Sequence, residues 1–233
     1  MASRSAAVEP GALVLASASP RRRELLSCLG LPFTVAPADV DEDALLRELP
    51  AGPDLAETLA GSKAEAVTGA PGTVIIGADT LVIRDGQALG KPRDAQDAAD
   101  MLRSLRNRDH QVITGVAVRV VGIPAVRTGH AVSTVTMRPH TDDEIAAYTA
   151  GGDPMDKAGA YAIQHAGFHP VARLAGCYWN VVGLPLCVLS RLLAEAGVAV
   201  RRDQGEAVAD RCALCGPQGR CPAPPVGGAR EAE

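Results

Sequence analysis

A chain of 233 residues is long enough to form one large domain or two small ones around a sizeable hydrophobic core. It has 47% hydrophobic and 21% charged residues, and no apolar run approaches the roughly 20 residues of a membrane-spanning helix, so we expect no membrane contact. A formal net charge of -4 and 3% aromatic residues also argue against a nucleic acid polymer as partner, because such binding needs a basic surface or stacking side chains.

The compartment is predicted from the first residues and the cysteines. Residues 1–10 lack the apolar segment of a secretory signal, and the 6 cysteines are spread irregularly along a chain too large to need disulfides. We therefore expect reduced thiols and a cytoplasmic protein.

The first predicted element is a short strand at residues 13–17, followed by a tight turn and a helix. Ser19 is a helix-capping residue type, Pro20 fits the first helical position, and Gly30 can end the helix. The next predicted elements are a polar loop at 39–43, a helix at 55–67, and strands at 73–76 and 81–83 that lead to a hairpin turn at Asp85-Gly86. They are followed by a helix capped by Asp94 and by strands at 112–121 and 126–137. A helix opened by the capping box of Thr141 and Glu144, a segment of mostly loop and turn at 152–183, and a helix at 184–196 complete the order.

Strands alternate with helices, and the strands at 112–121 and 126–137 are close enough to form a hairpin. This order predicts an α/β domain with a mixed sheet over about residues 11–200. We expect disorder in residues 1–10 and in the tail, residues 201–233, where periodicity gives way to glycine, proline and charge. The tail cysteines at 212, 215 and 221 lack a fourth ligand for a closed zinc site, so disorder is favoured over metal binding there.

Three arginines, Arg21, Arg22 and Arg23, lie in the first turn of the first predicted helix, whose amide end already carries a partial positive charge. An anion would remove this conflict, since backbone N–H groups and guanidinium forks both bind phosphate or carboxylate. The alternative is that the arginines point into solvent. If they hold an anion, removing Arg21 or Arg22 should weaken substrate binding and leave the stability of the free protein level or slightly higher.

Asp79 is a carboxylate inside an otherwise apolar stretch, residues 74–83. Such a group must be paired, bound to a metal, or open onto a cleft. Gly77 would allow the backbone to bend or a ligand to approach closely. A desolvated carboxylate can act as a general base near neutral pH, and the alternative is a structural aspartate at a strand end.

Several further polar residues are candidates for a ligand site. Lys63 and Lys91 have small or turn-forming neighbours, and each alone is typical of a solvated surface lysine. Residues 153–159 combine two carboxylates with Lys157 and glycine, and Gln164 follows a short β-rich stretch. This density of acid, base and glycine favours a ligand site, although exposed loops often share it.

Taken in order, these segments resemble the Maf family of nucleoside triphosphate pyrophosphatases over about residues 12–197. The matching segments are LASASPRR at 15–22, VDE at 40–42, KA at 63–64, GADT at 77–80, GKP at 90–92, GDPMDKAGAYAIQ at 152–164 and NVVGLP at 180–185. The resemblance implies an α/β fold with a mixed, twisted sheet flanked by helices and a central cleft, related to the inosine triphosphate pyrophosphatases. It also implies hydrolysis of a nucleoside triphosphate to the monophosphate and pyrophosphate, with Mg²⁺ or Mn²⁺ as a divalent cofactor.

Within the family, residues 156–164 are similar to the branch that acts on dTTP and UTP, and differ from the branch that favours 7-methyl-GTP. The chain has His165 where the dTTP/UTP branch usually has glycine. The resemblance implies that Asp79 is the proton acceptor and binds the metal together with Glu42. It implies that the catalytic group also contains Lys63 and Lys91, and that the substrate-binding residues are Ser19, Arg21, Arg22, Thr80, Lys157 and Gln164.

Arg21, Thr80 and Gln164 match family positions linked to substrate choice, and a glutamine amide can pair with the imide edge of uracil or thymine. Two alternatives stay open: a nucleotide-binding regulatory protein linked to septum formation with little catalysis, and hydrolysis of modified pyrimidine nucleotides. The sequence does not rank dTTP against UTP, choose the metal or decide whether the chain forms a homodimer.

Overall fold

A computed structural model describes residues 11–200 of the chain. The expected disorder of residues 1–10 and 201–233, and the tail cysteines, lie outside the described residues. No helix in the described part of the chain is both long enough and apolar enough to cross a membrane.

The described residues form an α/β structure. Its strands are β1 (Leu13–Leu15), β2 (Phe33–Val35), β3 (Val74–Arg84), β4 (Gln87–Leu89), β5 (Asp109–Val120), β6 (Val126–Met137) and β7 (Val171–Ala175). Its α-helices are α1 (Pro20–Ser27), α2 (Glu42–Glu48), α3 (Pro53–Ala66), α4 (Ala95–Leu105), α5 (Asp142–Ala150), α6 (Tyr178–Val182) and α7 (Leu186–Glu195). Two short 3₁₀ segments, Asp153–Asp156 and Ala158–Ala160, follow α5.

The strands form one mixed sheet in the order β2-β1-β3-β5-β6-β7, with β4 paired to β3. Strand β1 runs parallel to β2 and β3, whereas β3, β5, β6 and β7 are joined by antiparallel pairs. The predicted fold class, a mixed sheet flanked by helices, is therefore confirmed.

The two faces of the sheet bury different helices, because successive side chains of a strand point to opposite faces. On one face, Leu15 and Ile76 pack in the cluster that contains residues of α1 and α7. On the other face, Val14 and Ile75 pack with Ala60 of α3. The hydrophobic core thus lies on both sides of β1 and β3, as expected for strands in the middle of an α/β sheet.

The predicted local signals at turns and helix starts are confirmed. Ser19 caps α1, Asp94 caps α4, and both hydrogen bonds of the predicted capping box open α5. Asp85 and Gly86 have φ values of 51° and 78° and join β3 to β4 as a two-residue hairpin turn, which needs positive φ at both positions.

Three predictions of local structure are wrong. Residues 39–43 are not entirely loop, because the Asp41 side chain accepts a hydrogen bond from the Ala44 amide and α2 begins at Glu42. The two predicted strands at 73–76 and 81–83 are one strand, β3. Residues 152–183, predicted to be mostly loop and turn, also contain β7 and α6. Strand β7 was missed because its hydrogen bonds come from β6, a partner that local sequence does not reveal.

Candidate active site

The middle of β3 lies beside an opening in the sheet. On one side, β3 is paired with β5 along almost its whole length. On the other side, β1 pairs with β3 only as far as Ile76, and β4 pairs with it only from Val82 onward. Residues 77–81, which we call the open segment, therefore have no paired strand on this side within the described residues, and Asp79, Thr80 and Leu81 line a cleft of about 810 Å³.

The open segment explains how groups from both faces of the sheet reach one cleft. Asp79 points to the face covered by α3, and Thr80 points to the opposite face. All ten sequence-predicted site residues line this cleft: Ser19, Arg21, Arg22, Glu42, Lys63, Asp79, Thr80, Lys91, Lys157 and Gln164. Their common location is observed, and their individual roles stay predictions.

Two carboxylates meet at one ammonium group in this cleft. The Nζ of Lys63 lies 2.5 Å from Oδ1 of Asp79 and 2.7 Å from Oε1 of Glu42. Lys63 and Asp79 are both buried, and Glu42 is about half exposed. Lys63 is thus no solvated surface lysine, and the buried charge of Asp79 is compensated as such a charge requires.

Helix α3 brings Lys63 to Asp79 by an unusually close approach to the sheet. A Cβ atom on Gly77 would lie 2.0 Å from the Ala60 carbonyl oxygen, and one on Gly115 would lie 2.1 Å from that of Ala56. Gly77 therefore makes room for a helix backbone and not for the bend or ligand that the sequence suggested. Gly115 lies directly opposite Asp79 in the β3–β5 ladder.

Arg22 is hydrogen-bonded to three parts of the cleft wall. Its guanidinium donates to the Gly183 carbonyl oxygen at 2.9 Å, to Ser17 Oγ at 3.2 Å and to Thr80 Oγ1 at 3.1 Å. Burial lowers the pKa of Arg22, although Asp79 opposes this shift. A guanidinium has five N–H donors, so two remain for a ligand.

Arg21 and Lys157 are joined through Asp156. Arg21 Nη1 donates to Asp156 Oδ2 at 3.0 Å, and Lys157 Nζ donates to Asp156 Oδ1 at 2.7 Å. Burial alone would raise the pKa of Asp156, but Lys157 and Arg21 outweigh it and hold that pKa below its usual value. Lys157 also donates to the carbonyl and carboxylate oxygens of Asp153, so its three N–H donors already have acceptors.

The remaining predicted residues differ in their hydrogen bonds and in their exposure to solvent. Ser19 Oγ accepts the amide of Arg22 as the helix cap. Lys91 and Gln164 are exposed side chains on the cleft wall. His165 is not among the residues that line the cleft, and its ring packs edge-on against Tyr148 with centroids 4.8 Å apart.

The structure adds three polar residues that sequence reasoning missed: Ser17, Thr114 and Asn180. Ser17 accepts from Arg22, while Thr114 and Asn180 connect to Thr80 from the buried side. Thr114 carried the same signal as Asp79, a polar side chain inside an apolar strand. Asn180 is completely buried in a segment that resembled the family, although no role followed from that resemblance.

Asp79 of the open segment and Glu42 of α2 fit a divalent cation whose other ligands would come from substrate and water. Asp79 and Glu42 each give one carboxylate oxygen, Oδ1 and Oε1, to the Lys63 ammonium, so that among the described contacts Oδ2 and Oε2 are left as ligands for a cation beside it. Within residues 11–200, no cluster of three or more His, Cys, Asp or Glu side chains could hold a metal by itself. Magnesium is commonly held by one or two carboxylates together with substrate phosphates and water, so this pair is sufficient.

Comparison with known proteins gives a consistent result. The sequence model of the family described as Maf-like protein matches residues 12–196. The dTTP/UTP pyrophosphatase of Moorella thermoacetica is 52% identical over 191 residues, covering 81% of this chain and 96% of the relative. Proteins of the same name from Geobacter sulfurreducens and Thermomicrobium roseum are 46% and 45% identical, covering 82% and 87% of this chain and 99% and 92% of the relatives.

Proposed function

The chain belongs to the Maf family, and we propose that it is a nucleoside triphosphate pyrophosphatase that converts dTTP and UTP to the monophosphate and pyrophosphate. The observation that carries this proposal is the convergence of two kinds of groups on one cleft. Asp79 and Glu42 supply negative charge at the open segment, and Arg21, Arg22 and Lys91 supply positive charge beside it. A carboxylate that activates water and cations that bind phosphate are what cleavage of a phosphoanhydride requires.

In the proposed reaction, a water molecule attacks the α-phosphorus and loses a proton to an Asp79 carboxylate oxygen. The bond from the α-phosphorus to the bridging oxygen breaks, and pyrophosphate leaves with that bond's electron pair. Lys63 keeps Asp79 oriented before substrate binds, because its ammonium is 2.5 Å from the carboxylate. Once the triphosphate is bound, the same ammonium faces the negative charge that develops on pyrophosphate.

Asp79 and Glu42 would hold the divalent cation, Mg²⁺ or Mn²⁺. When bound, this ion would polarise the phosphoryl group and lower the pKa of a coordinated water. Arg21, Lys91 and the two remaining donors of Arg22 would bind phosphate oxygens. Lys157 would act indirectly, by fixing Asp156 next to Arg21.

The base would lie against Thr80 and Gln164, since both line the cleft and Gln164 is exposed there. Hydrolysis of modified pyrimidine nucleotides would use the same chemistry. We also propose a cytoplasmic location, where the nucleotide pool is. Sedimentation velocity of the full chain distinguishes a monomer from a homodimer, between which the sequence does not choose.

The test is pyrophosphate release from a nucleotide panel with Mg²⁺ or Mn²⁺, together with the Asp79→Asn variant. We expect dTTP and UTP to be the preferred substrates and Asp79→Asn to lower kcat by about 100-fold or more, because an amide neither accepts the proton nor carries charge for the metal. The fold should persist, since Lys63 keeps Glu42 as its partner.

Asp143→Asn is the matched control, because Asp143 is an exposed aspartate on α5 and should retain wild-type turnover. Near wild-type turnover in Asp79→Asn would make Asp79 a structural residue. Nucleotide binding without turnover in the wild-type protein would instead support a regulatory nucleotide-binding protein.

A further inference from the structure

A chain of hydrogen bonds leads from the interior of the protein to the cleft. Asn180 is fully buried, and its carbonyl oxygen lies 2.8 Å from Oγ1 of Thr114. Thr114 Oγ1 lies 3.0 Å from Oγ1 of Thr80, whose side chain borders the cleft. On its other side, Thr80 Oγ1 lies 3.1 Å from Nη2 of Arg22.

The direction of each hydrogen bond in this chain follows from the two ends. A carbonyl oxygen can only accept, so the Thr114 hydroxyl donates its single hydrogen to Asn180. Thr114 Oγ1 must then accept from Thr80, which commits the only hydrogen of the Thr80 hydroxyl. A guanidinium can only donate, so Arg22 occupies one of the two lone pairs of Thr80 Oγ1.

Among the described residues, Thr80 Oγ1 therefore has one lone pair left for a ligand in the cleft, and it has no hydrogen left to donate. We propose that Thr114 and the Asn180 carbonyl are positioning groups that make Thr80 a pure hydrogen-bond acceptor toward the nucleotide. Thr80 then pairs with an N–H or O–H donor of the nucleoside and not with a phosphate oxygen, which offers only acceptors. This inference rests on the proposed function, because it assigns the part of a nucleotide that faces Thr80.

Nucleosides offer three kinds of donor: a ring N–H, the exocyclic amino group that cytosine has at position 4, and the sugar hydroxyls. We assign ring position 3 of the base as the group that faces Thr80. Uracil and thymine carry an N–H at ring position 3, where cytosine has a lone pair, so an acceptor-only Thr80 would attract the first two and repel the third. The sugar carries hydroxyl groups that could serve the same acceptor. We assign the base imide as the partner of Thr80. A dideoxy analogue, which lacks the sugar hydroxyls, tests the sugar separately.

Asn180 is held so that its carbonyl keeps this direction. Its side-chain oxygen accepts the Thr114 amide at 2.8 Å, and its Nδ2 donates to the Val112 carbonyl oxygen and to Ser133 Oγ, both at 2.8 Å. These bonds join α6 to β5 and β6 in the interior. The hydroxyl chain therefore cannot reverse without leaving a buried polar atom unpaired, which is costly.

The experiment measures dissociation constants by calorimetry for α,β-imido analogues of dUTP, dCTP and 2′,3′-dideoxyuridine triphosphate. In Thr114→Val the Thr80 hydrogen is released and can turn toward the cleft. We expect the preference of the wild-type protein for the dUTP over the dCTP analogue to fall by about fivefold in this variant, the value of one hydrogen bond. Thr114→Ser retains a hydroxyl and should restore the preference.

Thr149→Val is the matched control, since Thr149 is a buried threonine whose hydroxyl, in the part of the chain that the structure describes, bonds only within α5. A general structural effect of losing a buried hydroxyl would weaken the binding of the dUTP and dCTP analogues equally and leave the ratio of their dissociation constants unchanged. If Thr114→Val does not fold, Thr80→Val removes the same acceptor from a half-buried position and should lower the ratio as well.

The outcomes separate the two proposals. If the ratio of the dissociation constants for the dUTP and dCTP analogues is the same in the folded variants as in the wild-type protein, the base assignment is wrong. If the ratio for the dUTP and dideoxyuridine analogues is unchanged as well, the acceptor role of Thr80 is wrong. A change confined to the dideoxy analogue supports the acceptor and assigns its partner to the sugar. Selective binding without turnover of dTTP or UTP leaves the inference supported and the proposed hydrolysis wrong, whereas no binding of any analogue overturns both.

Discussion

Arg21 and Arg22 are adjacent in the sequence, yet their guanidinium groups have different surroundings. Arg22 donates three hydrogen bonds to the protein, to Ser17, Thr80 and Gly183, and these join the start of α1 to the open segment and the loop after α6. Arg21 has one side-chain partner among the described hydrogen bonds, Asp156. The first residue of the pair is available for a ligand, and the second also supports the cleft wall.

This difference predicts different effects of removing each side chain. The sequence alone predicts unchanged stability of the free protein for both variants, whereas the contacts of Arg22 predict a loss. We expect Arg22→Ala to lower the free energy of unfolding by about 2 kcal/mol, or about 6 °C in Tm for a domain of this size. Arg21→Ala should leave Tm nearly unchanged, and both variants should lower kcat/KM.

The measurements are thermal unfolding without ligand and steady-state kinetics. Arg23→Ala is the matched control, because Arg23 lies in the same helical turn with an exposed side chain, and we expect neither Tm nor kcat/KM to change. Equal stability of Arg21→Ala and Arg22→Ala would contradict the structural role of Arg22. Unchanged kinetics in both would contradict phosphate binding at the start of α1.

At the scale of elements, the packing of α3 on β3 and β5 sets the distance between Lys63 and Asp79. Gly77 and Gly115 permit the contact because the backbone of α3 lies where a Cβ atom would be. Gly61 lies in the same helix, and a Cβ atom there would meet no heavy atom within 4 Å. Gly115 of β5 and Gly61 of α3 are therefore a matched pair of test positions, one at the contact between helix and sheet and one away from it.

We expect Gly115→Ala to destabilise the fold by about 3 kcal/mol, the upper part of the range for overpacking, because the clash is with backbone and the helix must move. The same movement separates Lys63 from Asp79, so kcat should fall. Gly61→Ala should instead stabilise the protein by about 0.5–1 kcal/mol with kcat unchanged, since alanine is favoured over glycine inside a helix. Urea unfolding and kinetics of both variants test this, and wild-type kcat in Gly115→Ala would contradict it.

Interactions between neighbouring residues could be predicted from the sequence, whereas interactions between distant segments could not. Caps and turns were predictable, because Ser19 or the Asp85-Gly86 pair acts on its own neighbours. Asp79 was predictable as an anomaly, but its partner Lys63 was not, since the ion pair depends on how α3 crosses the sheet. Short elements such as β2 and β7 escaped prediction for the same reason, as their hydrogen bonds come from β1 and β6.

At the scale of the whole molecule, the location of the cleft follows from the sheet order. Because β1 and β4 share one side of β3 and neither pairs with its middle in the described structure, five residues have no strand on that side, and Asp79, Thr80 and Leu81 among them line the cleft. No single segment of sequence contains this feature. The predicted site residues nevertheless lie together there. The family resemblance predicted that they belong to one site, which hydrophobic periodicity alone does not.

Stability of the whole fold should also depend on pH through a buried histidine. His110 is 3% exposed, and its Nε2 lies 2.7 Å from the Tyr161 hydroxyl. Its Nδ1 is buried and has no hydrogen-bond partner within residues 11–200. Burial lowers the pKa of His110 to about 4, with a small opposing effect of Asp109. The imidazole is therefore neutral in the folded protein at pH values where it is protonated in the unfolded chain, whose pKa is near 6.5.

Between these two pKa values the unfolded chain binds more protons than the folded protein, so the free energy of unfolding falls as the pH is lowered. From pH 7.5 to 4.5, His110 alone should remove about 2.5 kcal/mol. His110→Gln cannot be protonated and lacks this loss, although it should be less stable than the wild-type protein at pH 7.5. The stability difference between the wild-type protein and His110→Gln should therefore shrink by about 2.5 kcal/mol over this range.

Urea unfolding of both proteins at pH 7.5, 6.0 and 4.5 measures this difference, and other titrating groups cancel because the two proteins share them. His169→Asn is the control: His169 is exposed with φ of 45°, a conformation that asparagine accepts, and its difference from the wild-type protein should not vary with pH in this way. A constant difference between wild type and His110→Gln would mean that His110 has the same pKa in the folded protein as in the unfolded chain, and hence that the cleft wall behind Tyr161 is open to water.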